Sequence, residues 1–133
     1  MPNAAALLPV EENGADHHKS DIHLKRAYEA PSPADGVRVL VDRLWPRGVS
    51  KERAAIDRWM KEVAPSTELR RWLGHDPKRW NGFRRRYRTE LSHRVEGLRE
   101  LRALTRKGPL TLVYAARDEA HNEAIVLRDV LIH

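Results

Sequence analysis

Four side chains that could bind an anion or move a proton occur within six residues, directly after an apolar segment. They are Asp42, Arg43, Trp45 and Arg47, and the segment before them is Val37 to Val41. Arginine forks match the oxygens of phosphate and carboxylate groups, and an aspartate can orient a ligand or activate a water molecule. Trp45 and Asp42 would fit a structural role in the core equally well. Arg47 would not, since it lies in a Pro-Arg-Gly turn that favours the surface.

A second group of polar residues has the same arrangement near the carboxyl end of the chain. Arg117, Asp118, His121 and Asn122 follow the apolar segment Leu110 to Ala116. The carboxylate of Asp118 could orient the imidazole of His121 and raise its basicity, as in an acid/base couple. In the alternative interpretation, Asp118 caps the following helix and His121 lies at the surface.

The catalytic hypothesis therefore depends on three residues, Asp42, Asp118 and His121. The same three could ligate a metal ion, but their spacing does not support such a site, so we expect neither a metal nor a cofactor. The sequence also lacks a glycine-rich phosphate loop, a Gly-x-Ser-x-Gly elbow and a His-Glu-x-x-His segment. A metal-dependent hydrolase stays open as a further alternative, which metal retained after purification would reveal.

The fold has to bring the two polar groups together. Each group follows a predicted strand and precedes a turn and a predicted helix; Ser50 can cap the first helix, and the second starts near Asn122. If the two strands are parallel neighbours, their carboxyl ends and the helix N-termini share one crevice, where anions are favoured. The residues expected to bind a phosphate or carboxylate there are Arg43, Trp45, Arg47, Lys51, Arg117 and Asn122.

The rest of the chain supplies the elements of a single α/β domain. Residues 21–29 are predicted as a first strand, and the turn-rich loop that follows is too short for a crossover helix. The first two strands are therefore expected to be antiparallel neighbours or not adjacent. Helices are predicted at residues 50–63, at 66–73 with Ser66 or Thr67 as N-cap, from Asp76-Pro77 to Lys107 with a break near Gly97, and from Asn122 onwards. We expect a small, mostly parallel sheet flanked by helices over residues 21–133, preceded by a flexible tail at residues 1–20.

Charge is distributed unevenly along the chain. The net charge is +6, and the segment from Arg70 to Lys107 holds 13 lysine or arginine residues against four acidic residues. Such a basic segment favours polyanions or phosphorylated ligands, although a solvated helix surface has the same composition. Arg84, Arg85 and Arg88 surround Tyr87 on one predicted helix and are the alternative nucleic-acid-binding residues. Tyr87 itself lies on the apolar stripe of that helix and is expected in the core.

Composition excludes several other classes. The 133 residues include no cysteine, which excludes disulfides, a thiol nucleophile and thiolate metal sites, and which fits a reducing cytoplasm. No apolar run reaches the roughly 18 residues of a membrane span. Residues 4–10 are apolar but lack a basic leader and precede acidic residues, so they do not indicate a secretory signal. We expect a cytoplasmic protein without a membrane partner, whose oligomeric state the sequence does not indicate.

Several segments in register resemble a known family. They are Asp42-Arg-Leu-Trp-Pro-Arg-Gly48, Ala64-Pro-Ser-Thr-Glu-Leu69, Gly74-His-Asp-Pro77 with Trp80, and Tyr114-Ala-Ala-Arg-Asp118 with His121-Asn122. Together they resemble the YeaO-like branch of the domain-of-unknown-function family 488, over about Ile22 to Leu131. The resemblance implies a small cytoplasmic protein of bacteria or archaea and supplies no established activity. The wider family carries a Cys-His pair in the second strand-end motif, whereas this chain has Glu119-Ala-His-Asn122, so thiol chemistry is not carried over.

These observations favour binding, and as a further hypothesis processing, of a phosphate-bearing ligand such as a nucleotide or nucleic acid in the strand-end crevice. Arg43, Arg47 and Arg117 would neutralise the anion, and His121 would be the best proton carrier. The alternative is a non-catalytic interaction or DNA-binding regulatory module that uses the Arg-rich helix.

Overall fold

The computed structural model describes residues 21–133, and the predicted flexible tail at residues 1–20 lies outside the described residues. The strands in the described part are β1 (Ile22–Arg26), β2 (Val37–Leu40), β3 (Arg58–Trp59) and β4 (Leu110–Tyr114). Its helices are α1 (Lys51–Ala54), α2 (Thr67–Leu73), α3 (Trp80–Leu91), α4 (Val95–Lys107) and α5 (Glu123–Ile132). Short 3-10 turns lie at Pro33–Asp35, Lys61–Val63 and Pro77–Arg79. None of the helices between residues 21 and 133 is long and apolar enough to cross a membrane.

The four strands form one parallel sheet in the order β1-β4-β2-β3. The predicted α/β class with a small, mostly parallel sheet is therefore confirmed. All five residues of β4 are buried, as expected for a strand at the centre of a parallel sheet. Because β4 lies between β1 and β2, those two strands are not adjacent, which is one of the two arrangements predicted from the short loop between them.

The main hydrophobic core lies between the sheet and the helices α3, α4 and α5. Tyr87, predicted for the core, is fully buried and packs beside Phe83 with 5.6 Å between the ring centroids. Burying side chains of this size typically contributes about 1.5–3 kcal/mol each. Leu112 of β4 packs in this core, whereas its neighbour Val113 belongs to a smaller cluster with Leu40, as the alternation of side chains along a strand requires.

The prediction of a mainly helical segment at residues 50–63 is wrong. α1 ends after four residues, because Ala55 adopts a left-handed conformation with φ of 49°. The chain then pairs with β2 as the two-residue strand β3, and the N–H of Met60 donates to the Leu40 carbonyl at 2.9 Å. A helix through this segment would leave the open edge of the buried strand β2 without hydrogen-bond partners.

The long helix predicted from Pro77 is interrupted at residues 92–94, between α3 and α4, and not at Gly97. Gly97 instead lies inside α4, at its contact with the turn Lys61–Val63. A Cβ atom on Gly97 would come within 2.6 Å of Val63 Cγ1, so the missing side chain allows this close approach.

Two other helices begin where the sequence predicted. The side chain of Ser66 caps α2 by accepting a hydrogen bond from the N–H of Leu69, and Asn122 caps α5. The buried face of α5 consists of Ala124, Val126 and Leu127, while Ile125 and Val130 are only half-buried.

Candidate functional site

The carboxyl ends of β1, β4 and β2 lie side by side at one edge of the sheet, which we call the carboxyl edge. Asp42 comes two residues after β2, and its Oδ2 accepts a hydrogen bond of 2.9 Å from the N–H of Ala115. Ala115 directly follows β4. The two polar segments that the sequence places at strand ends therefore meet through a direct hydrogen bond.

Arg43 and Trp45, both predicted to bind a ligand, have structural contacts. Arg43 is half-buried and donates to the carbonyls of Pro65 at 3.0 Å and Ala64 at 3.5 Å. The indole of Trp45 packs against the smaller cluster, and its Nε1 donates to the Val49 carbonyl at 2.6 Å. These contacts fix the loop after β2, and we assign both residues to that role rather than to direct ligand contact.

Three basic residues of the predicted site lie on the outside. Arg47, Lys51 and Arg117 are exposed, and within residues 21–133 none of their side chains makes a hydrogen bond or an ion pair. None of the three therefore has a salt-bridge partner within the described part of the chain. Arg47 precedes α1 and Lys51 is its first residue, while Arg117 follows β4.

Two residues at the end of β1, missed by the sequence analysis, connect these arginines. The guanidinium of Arg26 lies 5.1 Å from the centroid of the Tyr28 ring, and its Nε donates to the Ala116 carbonyl at 2.9 Å. The hydroxyl of Tyr28 donates to the Arg47 carbonyl at 3.2 Å. These contacts place Arg26 and Tyr28 beside the backbone of Arg47 and of the residue before Arg117, and we call these four residues the basic rim.

A shallow cavity of about 280 Å³ adjoins the basic rim at Tyr28. It is formed by the loop after β1 and the start of α1, and its lining residues are Ala27, Tyr28, Glu29, Ala30, Pro31, Val49, Glu52 and Arg53. Its charged side chains are of both signs. A small ligand group could lie against Tyr28 here while its anionic part contacts the rim.

Asp118 and His121 form the contact that the sequence predicted for them. Oδ2 of Asp118 lies 2.9 Å from Nδ1 of His121, and Oδ1 accepts hydrogen bonds from the N–H groups of Ala120 and His121. The hydrogen bond with the His121 ring, followed by the one from Ala120, lowers the pKa of Asp118 below its ordinary value. The imidazole also meets the Trp80 ring edge-on, at 5.1 Å between centroids. The couple is correctly oriented for proton transfer and partly accessible to solvent.

Asn122, predicted as a ligand-binding residue, is buried and serves the fold. Its Oδ1 accepts from the N–H of Ile125 at 3.2 Å, and its Nδ2 donates to the Asp118 carbonyl at 3.0 Å. It therefore caps α5 and holds the loop that carries the Asp118–His121 couple. Neither end of its amide is left over for a ligand.

Behind the carboxyl edge, Asp42 contacts a second acid, Glu123, the first residue of α5. Burial, and next the hydrogen-bonding contact with Asp42, raise the pKa of Glu123 well above its ordinary value. The nearby Tyr87 has a raised pKa as well, because of burial first and then the charges of Glu123 and Asp42. We call Asp42 and Glu123 the acid pair. Asp42 therefore faces the interior, whereas Asp118 and His121 face outward, so the three predicted catalytic residues do not form one cluster.

The alternative surface on α3 is only partly free. Arg85 is exposed, but Arg84 is half-buried and Arg88 lies 3.9 Å from the carboxylate of Asp129 on α5. The sequence analysis missed the aromatic residue that organises this surface, Trp72 of α2. The guanidinium groups of Arg86 and Arg79 lie 4.1 Å and 5.4 Å from the centroid of its ring.

Metal binding has little to support it between residues 21 and 133. No three histidine, aspartate or glutamate side chains in that part of the chain converge as a metal site would require. The Asp118–His121 contact alone supplies two donors, and Asp42 is directed to Glu123. A protein metal site usually needs at least three protein ligands.

Comparison with known proteins assigns this arrangement to a family. The family model described as the inactive DUF488-N3 subclade, DUF488-N3i, matches residues 21–133. The chain belongs to this family. Uncharacterised protein YeaO of Escherichia coli (strain K12) is 46% identical over 112 residues, which cover 84% of this chain and 96% of YeaO. Uncharacterised protein Rv3073c of Mycobacterium tuberculosis (strain H37Rv) is 46% identical over 110 residues, covering 83% of this chain and 92% of that protein.

The predicted membership of a YeaO-like branch of family 488 is therefore confirmed. No solved structure matches the chain. Both relatives are named as uncharacterised proteins, so they give the site no established reaction.

The site residues that the sequence analysis missed gave weak signals. Glu123 is an acid in the first turn of a helix, where an acid is usually explained by the helix dipole. Arg26 and Tyr28 follow the first strand, and only the strand order places that strand beside β4. The convergence of β2 and β4 was predictable because polar residues follow both strands. The pairing of β1 with the other side of β4 was not predictable.

Proposed function

We propose that this protein binds a phosphate-bearing ligand, a nucleotide or a nucleic acid, at the carboxyl edge of its sheet. The observation that carries the proposal is the pair of exposed arginines, Arg47 and Arg117. They follow neighbouring strands, and neither side chain has a partner within residues 21–133. Unpaired guanidinium groups at the same edge of a sheet are suited to the several oxygens of a phosphate.

The basic rim supports a nucleotide-like ligand over a simple carboxylate. Tyr28 is 44% exposed and borders the cavity of about 280 Å³, so an aromatic base or a sugar has an apolar surface to contact. Arg26 covers part of the same ring, and Lys51 adds a further exposed positive charge at the start of α1. The net charge of +6 would attract a polyanion from a distance.

The proposal is for binding and not for processing of the ligand. The matching family model is described as an inactive subclade, and Asp42, which was expected to activate water, contacts Glu123 in the interior. Asp118 and His121 would then orient the ligand, with His121 donating a hydrogen bond to a phosphate oxygen. We further propose a cytoplasmic location, with which the absence of cysteine is consistent.

A binding titration tests the proposal. ATP and a single-stranded DNA oligomer are titrated at two salt concentrations into wild type, Arg47→Ala, Arg117→Ala and the double variant. Each single substitution should weaken binding about 10-fold, as loss of one charge-assisted contact of about 1.5 kcal/mol implies. Arg106→Ala is the matched control, because Arg106 is also exposed and unpaired within residues 21–133 but lies at the end of α4.

Two results would refute this assignment. Wild type could fail to bind either probe at low salt, or the double variant could bind as tightly as Arg106→Ala. The second result would mean that Arg47 and Arg117 do not contact the ligand and that the carboxyl edge is not the site.

A second candidate function is nucleic-acid binding through the Arg-rich surface of α2 and α3. The observation that favours it is Trp72, with Arg79 and Arg86 beside its ring and the exposed Arg85 next to Arg86 in α3. Arginines held on an aromatic ring are suited to backbone phosphates and exposed bases. Arg85→Glu should abolish oligomer binding in this case and leave ATP binding unchanged, whereas the carboxyl-edge proposal expects the Arg47 and Arg117 variants to bind both probes more weakly.

A further inference from the structure

One buried oxygen atom of the acid pair has no hydrogen-bond donor within residues 21–133. Oε2 of Glu123 is fully buried, and no group within residues 21–133 donates a hydrogen bond to it. The carboxyl group of Asp42 interacts with Glu123, and its Oδ2 already accepts from the N–H of Ala115. Two ionised carboxylates in one buried site repel each other, and each loses its hydration.

The backbone N–H of Glu123 lowers the pKa of its own carboxyl group, but other groups around the acid pair have partners elsewhere. From the loop after β2, Arg43 donates to backbone carbonyls of the segment before α2; from α3, Tyr87 donates its hydroxyl to the Val63 carbonyl. Glu90 of α3 adds a negative charge nearby and accepts from Ser66.

A positive charge on a neighbouring helix, that of Arg70, acts on Glu123. Arg70 of α2 lowers its pKa slightly through space, but it donates no hydrogen bond to the acid. On the loop before α5, His121 is bonded to Asp118. A proton between the two carboxyl groups would satisfy the buried oxygen with the atoms already in place.

We propose that Asp42 and Glu123 hold one proton between them, and that losing it weakens anion binding at the carboxyl edge. The second part rests on the proposed function, because it describes the regulation of that site. The raised pKa of Glu123, caused by burial and then by Asp42, agrees with a proton retained well above the usual range for a carboxyl group.

Loss of the proton acts on the basic rim in two ways. It adds one negative charge directly behind the strand ends, which opposes an anion bound there. It also makes Asp42 and Glu123 repel each other, and Asp42 is hydrogen-bonded to Ala115, two residues before Arg117. Movement of Asp42 would therefore loosen the segment that positions Arg117.

A titration of side-chain carboxyl carbons by NMR tests the shared proton in the full-length, unliganded protein. The Glu123 signal of wild type should titrate at clearly higher pH than that of the exposed Glu52, which is the internal reference. In Asp42→Asn the midpoint of Glu123 should move to lower pH, since the negative neighbour is gone. Equal midpoints for Glu123 and Glu52 in wild type would overturn the shared proton, and this readout needs no variant to fold.

Binding of a twelve-residue thymidine oligomer tests the regulation, because its phosphodiesters and bases do not titrate between pH 5 and 9. The dissociation constant for wild type should rise several-fold across the pH range in which Glu123 titrates. In Glu123→Gln this rise should be absent. Any contribution of His121 persists in this variant. The same rise in Glu123→Gln would overturn the proposed regulation. If wild type bound the oligomer at no pH, the regulation and the proposed function would both be overturned. The NMR titration would still decide whether the proton is shared.

Discussion

Replacing Gly97 by alanine tests how closely α4 must approach the turn Lys61–Val63. Alanine is favoured over glycine inside a helix by about 1 kcal/mol, so the substitution would normally stabilise α4. The added Cβ would, however, lie 2.6 Å from Cγ1 of Val63, where carbon atoms normally stay 3.5–4.0 Å apart. Val63 is fully buried, and its carbonyl accepts the hydrogen bond of the Tyr87 hydroxyl, so it has little freedom to move.

The steric term should exceed the gain in helix propensity. Overpacking a close-packed core costs about 1–3 kcal/mol. After the gain of about 1 kcal/mol from alanine, we expect Gly97→Ala to lower the free energy of unfolding by about 1 kcal/mol. For a domain of this size that corresponds to a fall of roughly 4 °C in Tm. Urea denaturation and calorimetry at pH 7 would measure both quantities.

Gly82→Ala in α3 is the matched control. A Cβ on Gly82 would come equally close, 2.6 Å, to Cη2 of Trp72, but this atom is the far end of a half-buried side chain that can rotate away. Moving this ring should offset the gain of about 1 kcal/mol from alanine, so Gly82→Ala should be close to neutral. Combining Gly97→Ala with Val63→Ala should show a favourable coupling of about 1 kcal/mol, because the smaller residue removes the overlap. Stabilisation by Gly97→Ala, or equal effects at both glycines, would refute the steric explanation.

Three further substitutions give independent tests. Tyr87→Phe removes the hydroxyl that donates to the buried Val63 carbonyl, so the free energy of unfolding should fall by about 1–3 kcal/mol; an unchanged urea midpoint would contradict this role. Glu123→Gln should remove a pH dependence of the free energy of unfolding. Burial and then Asp42 raise the pKa of Glu123 in the folded state. The stability that Glu123 contributes is therefore intact below its ordinary pKa of 4.5 and is lost as the pH rises through the raised pKa. Denaturation at pH 5 and pH 9 should show wild type losing more stability than the variant over this interval, and equal losses would argue against a raised pKa. Arg38→Met leaves Asp35 without the buried arginine that donates to it at 2.6 Å, and it should cost about 3–5 kcal/mol in thermal unfolding; a loss below about 1 kcal/mol would show that Lys25 alone suffices.

The parallel sheet was predictable because its central strands carry strong local signals. β2 and β4 are short apolar runs preceded by glycine and followed by polar residues, and these features survive in any context. The segment containing β3 shows the opposite case. Ala55, Trp59 and Val63 have helical spacing, yet the chain leaves the helix at Ala55 and pairs with β2. A long-range demand for backbone partners outweighed a local pattern.

The meeting of the two strand ends was predictable, but the direction in which their side chains point was not. Two strand ends with polar residues indicated the carboxyl edge, and Asp42 does meet Ala115 there. Which side chains turn inward depends on packing from α3 and α5, which sequence spacing does not encode. Asp42 turns towards Glu123, 81 residues later in the sequence, whereas Arg47 remains outside.

The loop from Asp42 to Ser50 explains why two exposed arginines can suffice for binding. The indoles of Trp45 and Trp59 donate to the carbonyls of Val49 and Asp42, at 2.6 Å and 2.7 Å, and the Tyr28 hydroxyl donates to the carbonyl of Arg47. Because the backbone is already held, a ligand orders little more than the arginine side chains, at about 0.5–1.5 kcal/mol each. A charge-assisted hydrogen bond returns about 1.5–3 kcal/mol, so each contact leaves only a small gain. A ligand with several phosphates, which meets both arginines at once, is therefore favoured over one with a single anionic group.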